Sequence, residues 1–440
     1  MFISQSRSNS MKMVVVGAGY VGLTTGACLA SAWAENTHGE MELVFVEIVK
    51  EKVDSINSGK LPIFEPGLEE IFNRLHSSGA VRATTNYDEA ISGADMVLMV
   101  LPTPSRQDGS IDISFVEAAT RSVATAIRHT KSMPLLVYRS TVLPGTTERM
   151  REIIKKEFGL EAGKDYLLCM NPEHLQEGTA VKNFMQPDKL IIGEHDLDSG
   201  KRLLDFYMQA GLMPPEGKTF RMGLREAEME KYFSNAFLAI KITFANQMAN
   251  LCESFGVNYD TVRDAACTDR RLGPAFTTPG IGFGGSCFSK DVNALAAGGK
   301  SAGTDVSLLK EVLRTNDVQP ASVAALIDKL HGLNGKKVAV LGVAFKGETD
   351  DLRATMTLPF VKELQQHGAE VLLTDPYADN AAVKNMFGLP LLQENDALKQ
   401  ADLVVIGTDH KRYKEMKIAK PVFDAKHFVR GVRSIGGMVA

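Results

Sequence analysis

A glycine-rich turn near the start of the chain restricts the fold more than any other feature of the sequence. Met11 to Val16 is apolar and predicts a buried strand, and Gly17 to Gly22 follows it with the sequence GAGYVG. A helix is predicted from Gly22 to Trp33. A GxGxxG run is a weak signal by itself, but a strand before it and a helix after it supply the context of dinucleotide binding. Its glycines allow a tight turn and let a pyrophosphate approach the helix N-terminus. A plain glycine turn is the alternative.

An acidic residue at the end of the next strand indicates which dinucleotide this turn binds. The predicted strand Met41 to Glu47 ends in a carboxylate that suits a ribose 2′-hydroxyl and repels a 2′-phosphate. NAD is therefore favoured over NADP. The gap to Glu47 is longer than usual, and the polar stretch from Glu35 to Glu40 predicts a loop that accounts for it.

Strands and helices alternate in the first and last parts of the chain. This alternation predicts parallel, doubly wound sheets, one extending to about residue 200 and a smaller one beginning at Lys336. The expected fold class is α/β, with two Rossmann-like doubly wound domains joined by a helical domain. The further predicted strands are Asp95 to Val100, Leu135 to Tyr138, Val338 to Leu341, Val371 to Thr374 and Asp402 to Ile406.

The middle of the chain predicts one unusually long helix. Glu226 to Phe255 contains no proline and no glycine, and Gly256 ends it. Its apolar residues cover more than one face, so the helix must be buried on several sides. We expect this helix to be shared with a second subunit, which predicts a homodimer.

Composition and charge exclude several classes of function. A chain of 440 residues predicts two or three domains, and its net charge of −4 gives no sign of nucleic acid or anionic membrane as partner. No apolar run reaches the ~18 residues that span a bilayer. The polar start lacks a signal-peptide core, and Met11 is an alternative start to Met1. Five scattered cysteines without metal-ligand spacing indicate thiols, no metal site and a cytoplasmic location.

A single cysteine lies in a second glycine-rich run. Pro279 to Asp291 reads PGIGFGGSCFSKD, which places Cys287 shortly before Lys290 and Asp291. Glycines let a backbone approach a ligand closely, and a nearby cation favours the nucleophilic thiolate. The run therefore indicates a binding loop with a nucleophile. A small buried cysteine beside a flexible turn is an equally good interpretation of these residues alone.

Other polar residues follow predicted strands or lie on the long helix. Thr103 and Thr141 follow strands, where α/β sheets bind ligands, although a simple turn explains each as well. Glu173 and Glu177 lie four residues apart and suit proton transfer, unless they mark a solvated helix start.

Two pairs of basic and polar residues suggest anion binding. Lys231 and Asn235 are four residues apart on the long helix and suit an oxyanion, while a lysine reaching solvent is the alternative. Lys346 and Arg353 follow the strand that begins the C-terminal sheet and suit phosphate groups.

Taken in order, these motifs resemble the UDP-glucose/GDP-mannose dehydrogenase family from about Lys12 to about Gly431. The matching runs are GAGYVG, EPGL at Glu65 to Leu68, LPTP, RSTV, NPEHLQEGTA, the Lys231/Asn235 helix, GFGGSCFSKD and GVAFKGETDDLR. The polar, Ser-rich composition of the start predicts a disordered extension at 1–10. The resemblance implies an NAD-binding domain at 11–205, a helical dimerisation domain at 206–320 and a nucleotide-sugar-binding domain at 321–440. It also implies two successive oxidations of a sugar C6 alcohol to a carboxylate, with two NAD.

The resemblance also assigns roles to residues. Cys287 attacks the C6 aldehyde and carries a thiohemiacetal and then a thioester; Lys231 and Asn235 stabilise oxyanions. Asp291 and Thr141, through a water, handle protons, with Glu173 assisting. Cofactor positions are Gly17, Gly19, Tyr20, Val21, Gly22, Glu47, Lys52, Thr103, Thr141, Glu177 and Arg353. Substrate positions are Glu173, Leu175, Lys231, Asn235, Phe276, Phe283, Gly284, Lys346 and Arg271, the last reaching the neighbouring subunit.

The chain departs from the family pattern at a few positions. The common run PEFLREG is PEHLQEG here, so His174 and Gln176 replace Phe and Arg. Phe276 stands where many members have Tyr, Gln247 replaces a usual Glu, and Ala354-Thr355 replaces Glu-Ser. None of these changes removes an expected catalytic group.

The sugar and the reaction remain open to alternatives. The EGTA run and the GAGYVGLTTGACLA opening favour UDP-glucose, with GDP-mannose and UDP-N-acetylhexosamines as alternatives. A single-step hydroxy-acid dehydrogenase would share the Rossmann domain without needing Cys287. An inactive nucleotide-sugar sensor is a third reading, against which the four residues Lys231, Asn235, Cys287 and Asp291 argue.

Overall fold

The computed structural model describes residues 10–429 and 432–437. These residues form two compact units, of which unit 1 ends at Phe233 and unit 2 begins at Ser234. The predicted extension at 1–10 lies, except for Ser10, outside the described residues. The predicted domain limits stay predictions.

Unit 1 is built on an eight-stranded sheet with the order β3-β2-β1-β4-β5-β6-β7-β8. Its first six strands are parallel and take the order 3-2-1-4-5-6 of dinucleotide-binding folds. The strands are β1 (Ser10–Val16), β2 (Glu40–Val46), β3 (Val81–Thr84), β4 (Met96–Met99), β5 (Leu135–Tyr138), β6 (Leu167–Met170), β7 (Leu190–Glu194) and β8 (Thr219–Gly223).

The sheet reverses direction after its sixth strand, which the alternating pattern did not predict. Strands β6 and β7 are antiparallel through the pairs Cys169–Glu194 and Met170–Gly193, whereas β7 and β8 are again parallel. Two residue pairs are too short a junction for an apolar pattern to reveal. Strand β8 is also partly exposed along its length, so it lacks the apolar run of a buried strand.

Helices cover both faces of this sheet, as a doubly wound fold requires. Neighbouring strand residues point to opposite faces, so Val15 and Phe45 enter one core while Val14 and Val44 enter the other. The helices are α1 (Tyr20–Thr37), α2 (Lys50–Asn57), α3 (Leu68–Ser77), α4 (Tyr87–Ile91), α5 (Ser114–His129), α6 (Thr146–Phe158), α7 (Ala180–Met185) and α8 (Leu197–Gln209).

The long helix predicted in the middle of the chain is confirmed as α9 (Leu224–Phe255), which has 32 residues. One side of it buries small residues, including Ala227 and Ala239. Another side exposes large apolar side chains at helical spacing: Phe233, Phe237, Phe244, Leu251 and Phe255. Exposed apolar stripes of this size mark interaction surfaces.

Unit 2 contains a second, smaller sheet of five parallel strands in the order β10-β9-β11-β12-β13. This 2-1-3-4-5 order is also doubly wound, so the predicted fold class is confirmed. The strands are β9 (Lys337–Leu341), β10 (Glu370–Thr374), β11 (Leu403–Ile406), β12 (Val422–Asp424) and β13 (Arg433–Ser434). The helices are α10 (Tyr259–Ala266), α11 (Phe288–Ser301), α12 (Ser307–His331), α13 (Thr357–Gln366), α14 (Asn380–Phe387) and α15 (Glu394–Gln400).

Within the described residues, none of the helices has both the length and the apolar character needed to cross a membrane. The cytoplasmic location stays a prediction.

Candidate functional site

The glycine turn of unit 1 is shaped to receive a ligand at the start of α1. Gly17 has a φ of +103°, and a Cβ there would lie 2.2 Å from the carbonyl oxygen of Val100, so only glycine fits. A Cβ on Gly19 would meet no atom within 4 Å, so the space beyond the turn is open. Helix α1 begins at Tyr20 and directs its N-terminus towards this turn. The residues present therefore fit the pyrophosphate of NAD.

Glu47 lies beside the same turn, directly after β2. Its Oε2 accepts a hydrogen bond of 3.2 Å from the backbone N–H of Ala18, and Oε1 accepts from Ile48 and Val49 at 2.9 and 3.1 Å. Lys52 Nζ lies 3.7 Å from Glu47 Oε2. The structure thus brings two predicted cofactor residues together with the glycine turn.

The loops after β4 and β5 are joined at the same edge of the sheet. Thr103 Oγ1 donates to the carbonyl oxygen of Thr141 at 3.1 Å. Ser140 Oγ donates to the carbonyl oxygen of Leu101 and accepts from its N–H, both at 2.8 Å. Thr103 and Thr141 therefore occupy adjoining loops at the carboxyl ends of parallel strands, where such sheets bind ligands.

A buried carboxylate that had no predicted role connects the glycine turn to the loop after β6. Tyr20 donates its hydroxyl to Glu65 Oε2 at 2.5 Å, and the N–H groups of Gly178 and Ala180 donate to Glu65 at 2.7 Å each. Burial, with the adjacent Glu65 charge, raises the pKa of Tyr20. Glu65 thus fixes the segment that begins at Glu177. The sequence identifies the EPGL run as a motif but does not predict the role of Glu65, because its hydrogen-bond partners are distant in the chain.

Glu173 and Lys231 form a buried ion pair. Their Oε2 and Nζ atoms are 3.6 Å apart, and 10% and 5% of the two side chains is exposed. Burial raises the pKa of Glu173, but the positive charges of Lys231 and Arg139 outweigh it and hold the pKa below its usual value. Glu173 also accepts a hydrogen bond from the N–H of Leu175. An ionised carboxylate beside a lysine suits proton transfer and oxyanion stabilisation.

Two buried residues behind this pair were not predicted. Arg139 donates from Nη1 to the carbonyl oxygen of Asn171 at 3.2 Å, which places its charge beneath the loop of Glu173. Glu228 accepts hydrogen bonds from the N–H groups of Gly145 and Thr147 at 2.6 and 2.7 Å, at the start of α6. Glu228 lies one helical turn before Lys231, yet nothing in its sequence surroundings distinguishes it from neighbouring acids.

Cys287 is exposed and immediately precedes helix α11. This exposure excludes the alternative of a buried core thiol, which does describe Cys28, Cys169 and Cys252. Burial raises the pKa of Cys28 to about 12, so that thiol stays protonated. The N-terminus of a helix favours an anion, which suits a thiolate at Cys287.

Asp291 lies one turn further along α11, almost completely buried. Its Oδ2 accepts a hydrogen bond from Asn235 Nδ2 and its Oδ1 accepts one from Lys290 Nζ, both at 2.6 Å. Lys290 is therefore paired with the Asp291 carboxylate, and its effect on the Cys287 thiolate stays a prediction. Asn235 lies on α9, one turn after Lys231.

The glycine run before Cys287 packs against the loop that follows β9. A Cβ on Gly284 would lie 2.5 Å from the carbonyl oxygen of Ala354, so a larger residue would separate the two segments. Phe283 donates its N–H to Asn316 Oδ1 at 2.7 Å and accepts from Asn316 Nδ2 at 3.0 Å. The loop after β9 also carries Lys346 and Arg353. Unit 2 thus brings the predicted nucleophile near predicted phosphate-binding residues.

Aromatic rings surround the same part of unit 2. Phe276 and Phe283 lie 6.4 and 5.9 Å from the ring of Phe288, which was not predicted. Phe276 has a φ of +62°, an unfavourable backbone conformation that often marks a functional site.

Two predicted arginines pair with carboxylates nearby in the chain. Arg353 contacts Asp351 at 2.7 Å, and Arg271 contacts Asp269 at 2.5 Å. The Arg271 side chain is 88% exposed, and its role at a neighbouring subunit stays a prediction.

The strand order, the glycine turn and Glu47 define unit 1 as a dinucleotide-binding domain. Comparison with known proteins identifies the family. Residues 11–210, 225–318 and 339–435 match the models of the NAD binding, central and UDP binding domains of the UDP-glucose/GDP-mannose dehydrogenase family. The chain belongs to this family. It is an NAD-dependent nucleotide-sugar 6-dehydrogenase, as the sequence predicted.

Individual relatives match over almost their whole length. UDP-glucose 6-dehydrogenase of Haloferax volcanii is 38% identical over 91% of both chains, and GDP-mannose 6-dehydrogenase of Azotobacter vinelandii is 34% identical over 94% of both. The solved UDP-glucose dehydrogenase of Pyrobaculum islandicum is 34% identical, with a TM-score of 0.86 and complete coverage of both chains.

Proposed function

We propose that this enzyme oxidises the C6 hydroxyl of UDP-glucose to a carboxylate in two steps. Two of the relatives above carry names that include UDP-glucose dehydrogenase activity. The observation that carries the two-step reaction is the exposed Cys287 at the start of α11, since a single-step alcohol oxidation needs no nucleophile.

The proposed chemistry passes through a covalent bond to the enzyme. Bound NAD supplies the hydride acceptor for each oxidation. The Cys287 thiolate adds to the C6 aldehyde and forms a thiohemiacetal, whose oxidation gives a thioester. Water then cleaves the thioester and releases the uronate and the thiol.

The other polar residues would stabilise charge and move protons. Lys231 and Asn235 stabilise the oxyanion that develops at the C6 oxygen. Asp291 and Thr141, acting through a water, accept and return protons, and Glu173 assists. The pKa of Glu173 is lowered, so its carboxylate is ionised at neutral pH, which supports this role.

NAD would be held by residues of the glycine turn, the neighbouring loops and one C-terminal arginine. They are Gly17, Gly19, Tyr20, Val21, Gly22, Glu47, Lys52, Thr103, Thr141, Glu177 and Arg353. The nucleotide sugar would contact Leu175, Phe276, Phe283, Gly284 and Lys346 in addition to the catalytic groups.

A homodimer completes the proposal. The exposed apolar side of α9 supplies a surface for a second copy, and the exposed Arg271 is available to reach that copy's substrate. A three-domain organisation, divided at about residues 205 and 320, accompanies it.

The test is the amount of NADH formed per sugar. With limiting UDP-glucose we expect two NADH per sugar and no aldehyde released. A yield of one NADH with aldehyde as the final product would overturn the thioester route.

GDP-mannose is the second candidate substrate, favoured by the match to the Azotobacter vinelandii enzyme. Comparing kcat/KM for UDP-glucose, GDP-mannose and UDP-N-acetylhexosamines decides between them. A higher kcat/KM for any sugar other than UDP-glucose would reject the proposed substrate and leave the reaction type intact.

A further inference from the structure

Three charged or titratable side chains of unit 1 form a network beside the Glu173–Lys231 pair. His174 Nε2 lies 2.9 Å from Glu230 Oε2, and Lys189 Nζ lies 2.5 Å from Glu230 Oε1. We call Lys189, Glu230 and His174 the His174 network. It belongs to none of the predicted cofactor or substrate positions.

Two residues of the His174 network, His174 and Glu230, lie next to the Glu173–Lys231 ion pair in the sequence, one on the loop and one on the helix. Glu173 and His174 are neighbours in the loop after β6, and their partners Lys231 and Glu230 are neighbours on α9. Two successive loop residues are therefore fastened to two successive helix residues. The ion pair and the Leu175 N–H fix the Glu173 carboxylate within its loop, and the contact at the next residue ties that loop to α9 and so restricts the position of Glu173 relative to Lys231.

We propose that His174 is a positioning residue, which holds Glu173 against Lys231 by donating its Nε2–H to Glu230. The inference rests on the roles proposed above for Glu173 and Lys231. His174 itself touches no reacting atom in this scheme. Lys189 balances the charge of Glu230, so the imidazole needs no charge of its own to complete the network.

The charges around His174 make its neutral form the useful one. It is faced by Glu230 and Lys231 from α9, by Lys189 from the segment before β7 and by Glu173 from its own loop. Burial lowers the pKa of His174, the Glu230 hydrogen bond raises it, and the Lys231 charge lowers it, with a net lowering. Protonation would place a second cation next to Glu173, in competition with Lys231.

Two replacements of His174 are informative. Phenylalanine is a ring of similar size that cannot donate a hydrogen bond to Glu230. The His174→Phe variant therefore removes the hydrogen bond and the titration together. The His174→Gln variant retains an N–H donor and removes only the titration.

The experiment measures kcat and both KM values from acid to neutral pH for the two variants, using NAD and the nucleotide sugar that the wild type turns over. For H174F we expect kcat to fall by about 10-fold, with little change in the KM for NAD. The reason is the displacement of Glu173, since a misplacement of ~1 Å can lower a reaction rate by as much as ~100-fold. For H174Q we expect kcat to recover to within about 3-fold of wild type, because the donor is kept. In wild type, protonation of His174 should lower kcat at acidic pH. That part of the decrease in kcat should be absent in H174Q.

A surface pair supplies the matched control. His129 lies 3.1 Å from Asp88, with 64% and 60% of the side chains exposed. His129→Phe should leave kcat and its pH profile unchanged, and melting temperatures of all variants should show whether the fold is retained.

The outcomes separate this inference from the function on which it rests. Wild-type kcat and pH profile in H174F, or no recovery in H174Q, would overturn the positioning role. If H174F does not fold, the H174Q variant still tests the positioning role through the acidic side of its kcat–pH profile. If Lys231→Met retains full activity, the proposed role of Lys231 fails and the positioning role fails with it. If K231M is inactive while H174F is normal, only the positioning role is rejected.

Discussion

Asn235 on α9 and Asp291 on α11 share a hydrogen bond of 2.6 Å that is almost completely removed from solvent. Asp291 also accepts from Lys290, so one carboxylate holds two donors. Because one of the two amide N–H bonds of Asn235 is given to Asp291, the other N–H and the carbonyl oxygen take fixed directions. The pair is therefore a rigid element of unit 2, one turn from the start of α11 and Cys287.

Replacing Asp291 by Ala should abolish most of the activity. Both donors lose their acceptor, and the proposed proton-transfer group is removed, which costs about 10²–10⁴-fold in kcat. Steady-state NADH formation at saturating substrate measures the loss. Asp264→Asn, at a 70% exposed side chain of the same unit, is the control. Retention of more than about a tenth of wild-type kcat would remove Asp291 from the mechanism.

Cys287 should be the thiol that iodoacetamide alkylates first. It is exposed, Cys267 is intermediate, and Cys28, Cys169 and Cys252 are buried. Peptide mass spectrometry after short exposure measures the order, and NADH formation measures the consequence. Activity should fall in parallel with modification of Cys287, whereas Cys267→Ser should alkylate and inactivate like wild type. Full Cys287 alkylation with retained two-NADH turnover would contradict the covalent route.

Glu65→Gln should weaken NAD binding more than it weakens the fold. The amide replaces one acceptor oxygen with an N–H₂ group that faces N–H or O–H donors, leaving a buried group unsatisfied at a cost of about 1–3 kcal/mol. We expect a raised KM for NAD, measured by initial rates. Tyr20→Phe removes one of the three hydrogen bonds and should have a smaller effect. An unchanged KM in E65Q would show that the connection does not reach the cofactor.

Lys231→Met should destabilise unit 1 in a pH-dependent way. In wild type the pKa of Glu173 is lowered, so its ionised form stabilises the fold above the unfolded pKa, and this contribution is lost as pH falls through the folded pKa. Without Lys231 the buried charge loses a partner, at a cost of about 3 kcal/mol at neutral pH. The difference from wild type should shrink as pH drops and Glu173 is protonated. Urea unfolding at pH 7 and at a pH below about 4, under the ordinary glutamate pKa, measures this difference, and a difference independent of pH would contradict the ion pair.

A charge on the exposed side of α9 should prevent self-association. Phe244 is 61% exposed in one chain, and Phe244→Glu would place a carboxylate within the proposed apolar interface. Light scattering after size exclusion should show a monomer. Leu308→Glu, at a 62% exposed residue of α12, should leave the mass unchanged. A dimeric F244E protein would place the interface elsewhere.

Sequence patterns predicted the parts of the fold that depend on local chemistry. Leu135 to Tyr138 is an uninterrupted apolar run, and β5 has those same limits. The partly exposed β8 carries no such run and was missed. Glycine runs revealed the loop that carries Cys287. The roles of Glu65, Arg139 and Glu228 went unpredicted, because each depends on partners distant in the chain. His174 departs from the family pattern, but only the structure shows that Glu230 on α9 is its hydrogen-bond partner.

The hydrogen bond between Glu47 and Ala18 has a consequence for changing cofactor preference. Accepting NADP would require removing the carboxylate that repels a 2′-phosphate. In this chain, the same carboxylate holds the backbone of the glycine turn and pairs with Lys52. A Glu47→Ser exchange would therefore loosen the turn that both dinucleotides need. A change of preference to NADP would therefore need another group to accept the hydrogen bond from Ala18 before the loss of Glu47 could improve binding of the 2′-phosphate.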